Sequence, residues 1–296
     1  MDLKKTEIGD VMSLKKYFTP YEDKTCDKTL GGVFMWAEAY KTHHCVLHDT
    51  LIQKVDINGI NGFMMPIGKN VPLALEELYT YCEKEGKPLV FYGLTDADKK
   101  TVSELFDVTE QHERDICDYV YFSYELADFP GKKFHGQKNH LNAFKRLFPD
   151  AYSKRITDED IEKIKAFFEK YKSIVSKDDD MFYEDIRAVQ AVLDNADAYG
   201  FEGIAVYIGN EVISFAMGEL AGDTMYAHIE KALPEYRGVY QFTVSEFAKL
   251  SRDMGAVYIN REDDTGDEGL RTSKLSYKPC FLVDKYTVFV NGKKEI

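Results

Sequence analysis

The chain has 296 residues, 44% hydrophobic and 30% charged, which describes one large or two ordinary globular domains and excludes a disordered polypeptide. With 38 basic and 51 acidic residues the formal charge is −13, which repels a phosphate backbone unless positive charge gathers locally, so a general nucleic-acid coat and a DNA partner are excluded. No apolar run approaches the ~18 residues of a membrane-spanning helix, and no continuous apolar stretch follows the first basic residues, so neither a span nor a secretory leader is expected.

In chain order, residues 32–40 predict a short helix with an aromatic face, and 45–48, 51–57 and 62–67 predict strands, with Asn58-Gly59 as a turn. Val71-Pro72 opens a helix through Glu85, with proline in its first turn and Gly86 just past its end. A buried strand follows over 89–92, and Thr95 caps a helix over 96–106. An alternating aromatic strand over 118–124 closes this half. In the second half Thr157 caps an acidic helix start and the helix runs to about 174, followed by a helix over 182–193. Strands are expected over 203–208, 212–220 and 224–232, with Gly209-Asn210 and Gly222-Asp223 as tight turns. A helix over 238–254, a strand over 257–260, a helix over 268–277 and a strand over 281–290 complete the alternation. The fold class is α/β (α+β), divided into 1–129, a basic linker or helix over 130–150, and 151–296.

Cys26, Cys45, Cys82, Cys117 and Cys280 are odd in number, widely spaced and never arranged C-x-x-C. They fit a reducing, cytoplasmic setting and imply neither a disulfide framework nor a zinc cluster. No metal site is expected: His43, His44 and His48 lack carboxylates at ligand spacing, and Asp178-Asp179-Asp180 reads as a capping loop.

Four segments carry possible chemistry. On the 224–232 strand, alternation places Thr224, Tyr226, His228 and Glu230 on one face, where His228 and Glu230 suit proton transfer unless that face is simply solvated. Next, Arg237-Gly238-Val239-Tyr240-Gln241 forms a strand-to-helix turn in which Gly238 permits a close backbone approach and the helix N-terminus favours an anion, though a glycine needed only for the turn fits as well. Third, after Asn260 runs an acidic loop, then Arg271, Lys274 and Lys278 along one helical stripe, a cationic ridge for a carboxylate or phosphate, or a partner for the acids before it. Finally, residues 131–155 carry seven basic residues against Asp150, enough to steer an anionic substrate or to balance acidic surroundings.

The stretches GKKFHGQKNHLNAF (131–144), EYRGVYQF (235–242) and NREDDTGDEGLRTSKLSYKP (260–279), with Trp36, Tyr40 and Met65-Pro66-Ile67-Gly68, resemble a family of uncharacterised bacterial proteins similar to the C-terminal domain of lysyl-phosphatidylglycerol synthase. The resemblance spans nearly the whole chain. It implies two tandem GNAT-like acyltransferase units related to Fem-type aminoacyl transferases, and an acyl or aminoacyl transferase acting by direct attack on a CoA- or tRNA-linked donor. Arg237, Gly238, Val239, Tyr240 and Gln241 would hold the donor. Because a full GNAT turn has further glycines, an aminoacyl-tRNA donor stays open beside acyl-CoA. Glu230 or His228 would be the base and Tyr277 a proton donor. Asn260, Arg271, Lys274, Lys138 and Asn139 would face a small or lipid acceptor. A ligand-binding protein that kept the tandem fold without catalysis is the alternative.

Overall fold

A computed structural model describes residues 1–19, 21–57, 59–174 and 180–294; Asn58 of the expected turn and the Asp178-Asp179 pair lie outside the described residues. The chain divides into two compact units, Met1–Asp118 joined by the segment from Val283 onward, and Tyr119–Leu282.

The first half contributes β1 (Lys4–Lys5), β2 (His43–Leu47), β3 (Thr50–Ile57), β4 (Ile60–Phe63), β5 (Ile67–Gly68), β6 (Val90–Leu94) and β7 (Phe106–His112). The second half contributes β8 (Asp118–Phe122), β9 (Ala151–Arg155), β10 (Glu202–Ile208), β11 (Glu211–Ala221), β12 (Thr224–Ala232), β13 (Tyr258–Asn260), β14 (Phe281–Val283) and β15 (Tyr286–Lys293). The sheet of the first unit runs β1-β2-β3-β4-β6-β15-β7, with β5 beside β3, and that of the second runs β9-β10-β11-β12-β13-β8-β14. The two orders correspond strand for strand. Each begins with an antiparallel meander, crosses through a helix to a parallel neighbour (β4 to β6, β12 to β13), and then takes an antiparallel strand from a distant part of the chain, β15 or β8. This is the tandem α/β arrangement expected.

Local chemistry explains the helices that lie between strands. Helix Val71–Glu85 begins with proline in its first turn, buries Ala74, Leu75, Leu78 and Cys82 along one stripe, and stops where Gly86 turns left-handed at φ 65°. Helix Asp96–Leu105 is held by a reciprocal cap in which Thr95 accepts from the Asp98 N–H and the Asp98 carboxylate accepts from the Thr95 N–H. In the second unit, helix Val239–Asp253 packs Phe242, Val244, Phe247 and Ala248 into a core with Tyr119, Tyr121, Phe144, Val206, Met225 and Ile259.

Three expectations change. The 281–290 strand is two strands in different sheets, because β15 pairs with β6 and β7 and completes the first unit. Of the linker or helix expected over 130–150 the structure has the helix, His135–Leu147, which buries Leu141, Ala143 and Phe144 with the Phe144 ring 4.7 Å from Phe242, so the expected boundary falls inside the second unit. The aromatic helix over 32–40 shortens to Leu30–Phe34, beyond which Trp36 and Tyr40 stack at 5.9 Å outside it. Among the described residues, no helix is long and apolar enough to cross a membrane.

Candidate functional site

β12 sits at the centre of the second sheet, and both its faces are covered: Thr224, Met225, Tyr226, Ala227, His228 and Ile229 are all buried. The solvated face allowed by simple alternation does not exist. The register also slips. Gly218 lies opposite Ala227 and Met217 opposite Ile229, so His228 is an extra, bulged residue. Only glycine fits across from it, since a Cβ at 218 would stand 1.9 Å from the Tyr226 carbonyl oxygen.

The bulge drives the His228 imidazole between two carboxylates. Its Nδ1 lies 2.6 Å from Glu262 and its Nε2 2.9 Å from Glu219, the side chain is fully buried, and Phe201 stacks on the ring at 5.0 Å. Burial opposes the charge, but the two carboxylates outweigh it and push the imidazole up to about 9. Near neutral pH both nitrogens therefore carry protons and donate, so His228 is not available as a base. That expectation is corrected.

Glu230, two residues on, is paired with Arg261: Nε donates to Oε1 at 3.0 Å, and Nη2 donates to Oε2. The guanidinium lies 4.6 Å from the Tyr277 ring centre and 5.7 Å from that of Tyr121. Burial weighs against its charge, yet Glu230 holds the proton still more firmly than usual. Its Nη1 is buried and has no hydrogen-bond partner among the described residues. Tyr277 is buried and its phenol, bonded to the Gln241 side chain, is pushed up to about 12 by burial, so it keeps its proton. Tyr240 is exposed, and its hydroxyl meets that of Tyr171. Glu230 and Tyr277, the latter bonded to Gln241, thus meet at a residue outside the sequence-predicted site, Arg261. Its signal in the sequence was only its place just after a strand end.

The acidic loop and cationic ridge turn out to be one clamp behind Arg261. Asn260 is buried and its Oδ1 accepts from the Glu262 N–H at 2.7 Å. Asp264, fully buried, accepts from Arg271 at 2.9 and 2.7 Å and from the Tyr119 hydroxyl, and these donors with the Gly266 N–H hold its carboxyl down at about 2 against the cost of burial. Lys274 is buried, its Nζ donating to the carbonyls of Arg261 and Asp263, and burial lowers its ammonium. Asn260, Arg271 and Lys274, expected to face an acceptor, each have polar groups engaged within this loop.

The turn before helix Val239–Asp253 is also partly reassigned. Gly238 adopts φ 86°, and a Cβ there would stand 2.3 Å from the His140 carbonyl oxygen. The glycine is explained by the turn and by packing on helix His135–Leu147, and needs no phosphate. Val239 is buried at the helix start, while Arg237 is exposed with no ion pair among the described residues. Lys138 and Asn139 are exposed and make no bond to the Glu230–Arg261 cluster.

Residues 18–289 match the family described as phosphatidylglycerol lysyltransferase, C-terminal. The chain belongs to that family. A conserved protein of unknown function from Bacteroides thetaiotaomicron VPI-5482 is 27% identical and superposes with a TM-score of 0.87 over 98% of this chain and all of its own. L-PGS from Bacillus licheniformis shares the fold at 11% identity, with a TM-score of 0.68 over 98% of this chain and 94% of that one. FemX does so at 9% identity, with a TM-score of 0.59 over 98% and 97%. An uncharacterised protein of Mycoplasmoides gallisepticum (strain R(low / passage 15 / clone 2)) is 26% identical over 198 residues, 67% of this chain, and the chain spans 63% of that relative's length.

Proposed function

We propose that the second unit transfers an aminoacyl group from aminoacyl-tRNA to a hydroxyl or amine of a small or lipid acceptor, by direct attack and without a covalent enzyme intermediate. Family membership supports the reaction class, and the observation that carries the site is the orphaned Nη1 of Arg261. A buried donor without a partner costs about 1–3 kcal/mol, so it is retained where a ligand completes it. The carbonyl oxygen of the aminoacyl ester is such a ligand: it gains negative charge as the nucleophile adds, and a fixed guanidinium stabilises that charge more than the ground state. The Glu230 carboxylate accepts the nucleophile's proton through the lone pairs that Arg261 leaves open. Tyr277 protonates the departing ribose oxygen as the ester bond breaks. Arg237 and the uncompensated Lys132, Lys138, Lys145 and Arg146 supply positive charge for the tRNA backbone. An acyl-CoA donor is disfavoured because the single glycine of the turn is committed to packing on His140.

The test uses labelled aminoacyl-tRNA with phosphatidylglycerol vesicles or small amines as acceptors. Transfer should occur, and Arg261→Met should lower kcat by about 10²–10³ with the fold retained. Equal rates in Arg261→Met would remove the site assignment. Binding of tRNA without transfer to any acceptor would leave the non-catalytic reading.

A further inference from the structure

In the first unit, three side chains from two separate segments of the chain meet. His112 ends β7, Cys117 follows the short 3-10 turn Arg114–Ile116, and Asp284 precedes β15. Each offers one ligand atom, a nitrogen, a sulfur and an oxygen. Cys117 Sγ lies 3.6 Å from His112 Nε2 and 3.7 Å from Asp284 Oδ1, and the latter two are 3.0 Å apart. An ion with bonds of about 2.3 Å to sulfur and about 2.0–2.1 Å to nitrogen and oxygen holds a tetrahedral ligand set about 3.3–3.6 Å apart. The observed triangle has nearly those edges.

Contacts outside the triangle fix this placement. His112 pairs with Tyr286 in the β7–β15 ladder, and its ring packs on Tyr286 at 5.2 Å. The Glu113 N–H donates to the Lys285 carbonyl at 2.8 Å, which sets the Cys117 turn beside the Asp284 loop. Cys117 is fully buried, while His112 and Asp284 are exposed, so one face of the triangle opens to solvent. A soft thiolate with imidazole and carboxylate suits a zinc-class cation and is a poor set for calcium or magnesium, which take oxygen ligands.

We propose that His112, Cys117 and Asp284 bind one thiophilic divalent cation of the zinc class, with water as its fourth ligand. On binding, the Cys117 thiol releases its proton to solvent and the thiolate, Nε2 and one carboxylate oxygen bond the metal. The ion ties the segment leaving the first sheet to the segment re-entering it. No ligand belongs to the transferase cluster, so loss of transfer activity and loss of metal binding are separate results.

The full-length chain, stripped with a chelator, is titrated with Co²⁺ as a spectroscopic probe and then with Zn²⁺. One equivalent of Co²⁺ should produce a near-ultraviolet thiolate-to-metal band and the visible bands of a tetrahedral ion, and Zn²⁺ should abolish both. Cys117→Ser should lose the near-ultraviolet band. His112→Gln and Asp284→Asn change exposed side chains, so they test the ligands without disturbing the core, and each should weaken binding at least tenfold. Absence of the bands, bands unaltered in Cys117→Ser, or unchanged affinity in both exposed-site variants would overturn the proposal and leave a hydrogen-bonded triad.

Discussion

His228 is held by two carboxylates, Glu219 and Glu262, from other strands and loops of its unit. Its imidazole rises from the ordinary value near 6.5 to about 9 in the folded protein, against the cost of burial, because Glu219 and Glu262 hold the charged form. A group raised on folding stabilises fully below its unfolded value and loses that contribution as pH climbs through the folded one. Stability should therefore fall between about pH 6.5 and 9, by on the order of 3 kcal/mol. Thermal unfolding across that range measures it, and His228→Gln should flatten the alkaline slope; an equal slope in the variant would refute the assignment. Asp160 and Asp264 behave oppositely. Burial disfavours both carboxylates, but Lys154 and Tyr207 on one, and Arg271 and Tyr119 on the other, hold each at about 2, so their contribution disappears only as pH falls from about 4 through 2. Of these partnerships only that of Arg271 with the acidic loop before it was open to sequence reading. His228 and Glu230 stood out as a pair on one strand, but Glu219 reaches the imidazole only because a bulge shifts the register, and Glu262 and Arg261 only because β13 runs beside β12.

Elements were legible where their boundaries are set locally. Proline in the first turn and glycine at the end bracket Val71–Glu85, and Thr95 with Asp98 starts the next helix, so the sequence shows both at once. β7 was missed because Phe106–His112 is mostly polar and exposed, with no period-two apolar signal; β15 pairs it from far away. Two glycines separate turn geometry from helix propensity. Gly238→Ala should destabilise by more than about 1 kcal/mol, since it meets both a left-handed φ and the His140 carbonyl. Gly136→Ala, in helix His135–Leu147 with open space at its Cβ, should stabilise by about 0.4–1 kcal/mol. Urea unfolding of both variants checks this, and destabilisation by Gly136→Ala would contradict the open-space reading.

Across the whole molecule, the tandem repeat could be read from the order of elements, but its closure could not. Consecutive strands usually pair or lie near one another, which places β8 in the first half and the final strand in the second. The structure does the reverse: β8 enters between β13 and β14, and β15 enters between β6 and β7. A chain ending at residue 282 should therefore leave β6 and β7 without their shared neighbour and remove the fully buried Val288 from the first core. Circular dichroism and limited proteolysis should show the first unit unfolded, with recovery on adding a peptide of residues 283–294. Native unfolding of the shortened chain would refute this.

The reciprocal exchange also sets a clock on biosynthesis. β15 begins at Tyr286, 174 positions after β7 ends at His112, so the first sheet waits for its internal strand while the whole of the second unit is translated. At about 5–20 residues per second that interval is roughly 9–35 s. During it the ladder edges of β6 and β7 are unpaired, the condition under which nascent strands find wrong partners. The polar composition of β7, which leaves it no period-two apolar signal, is of the kind that blunts an unpaired edge against aggregation.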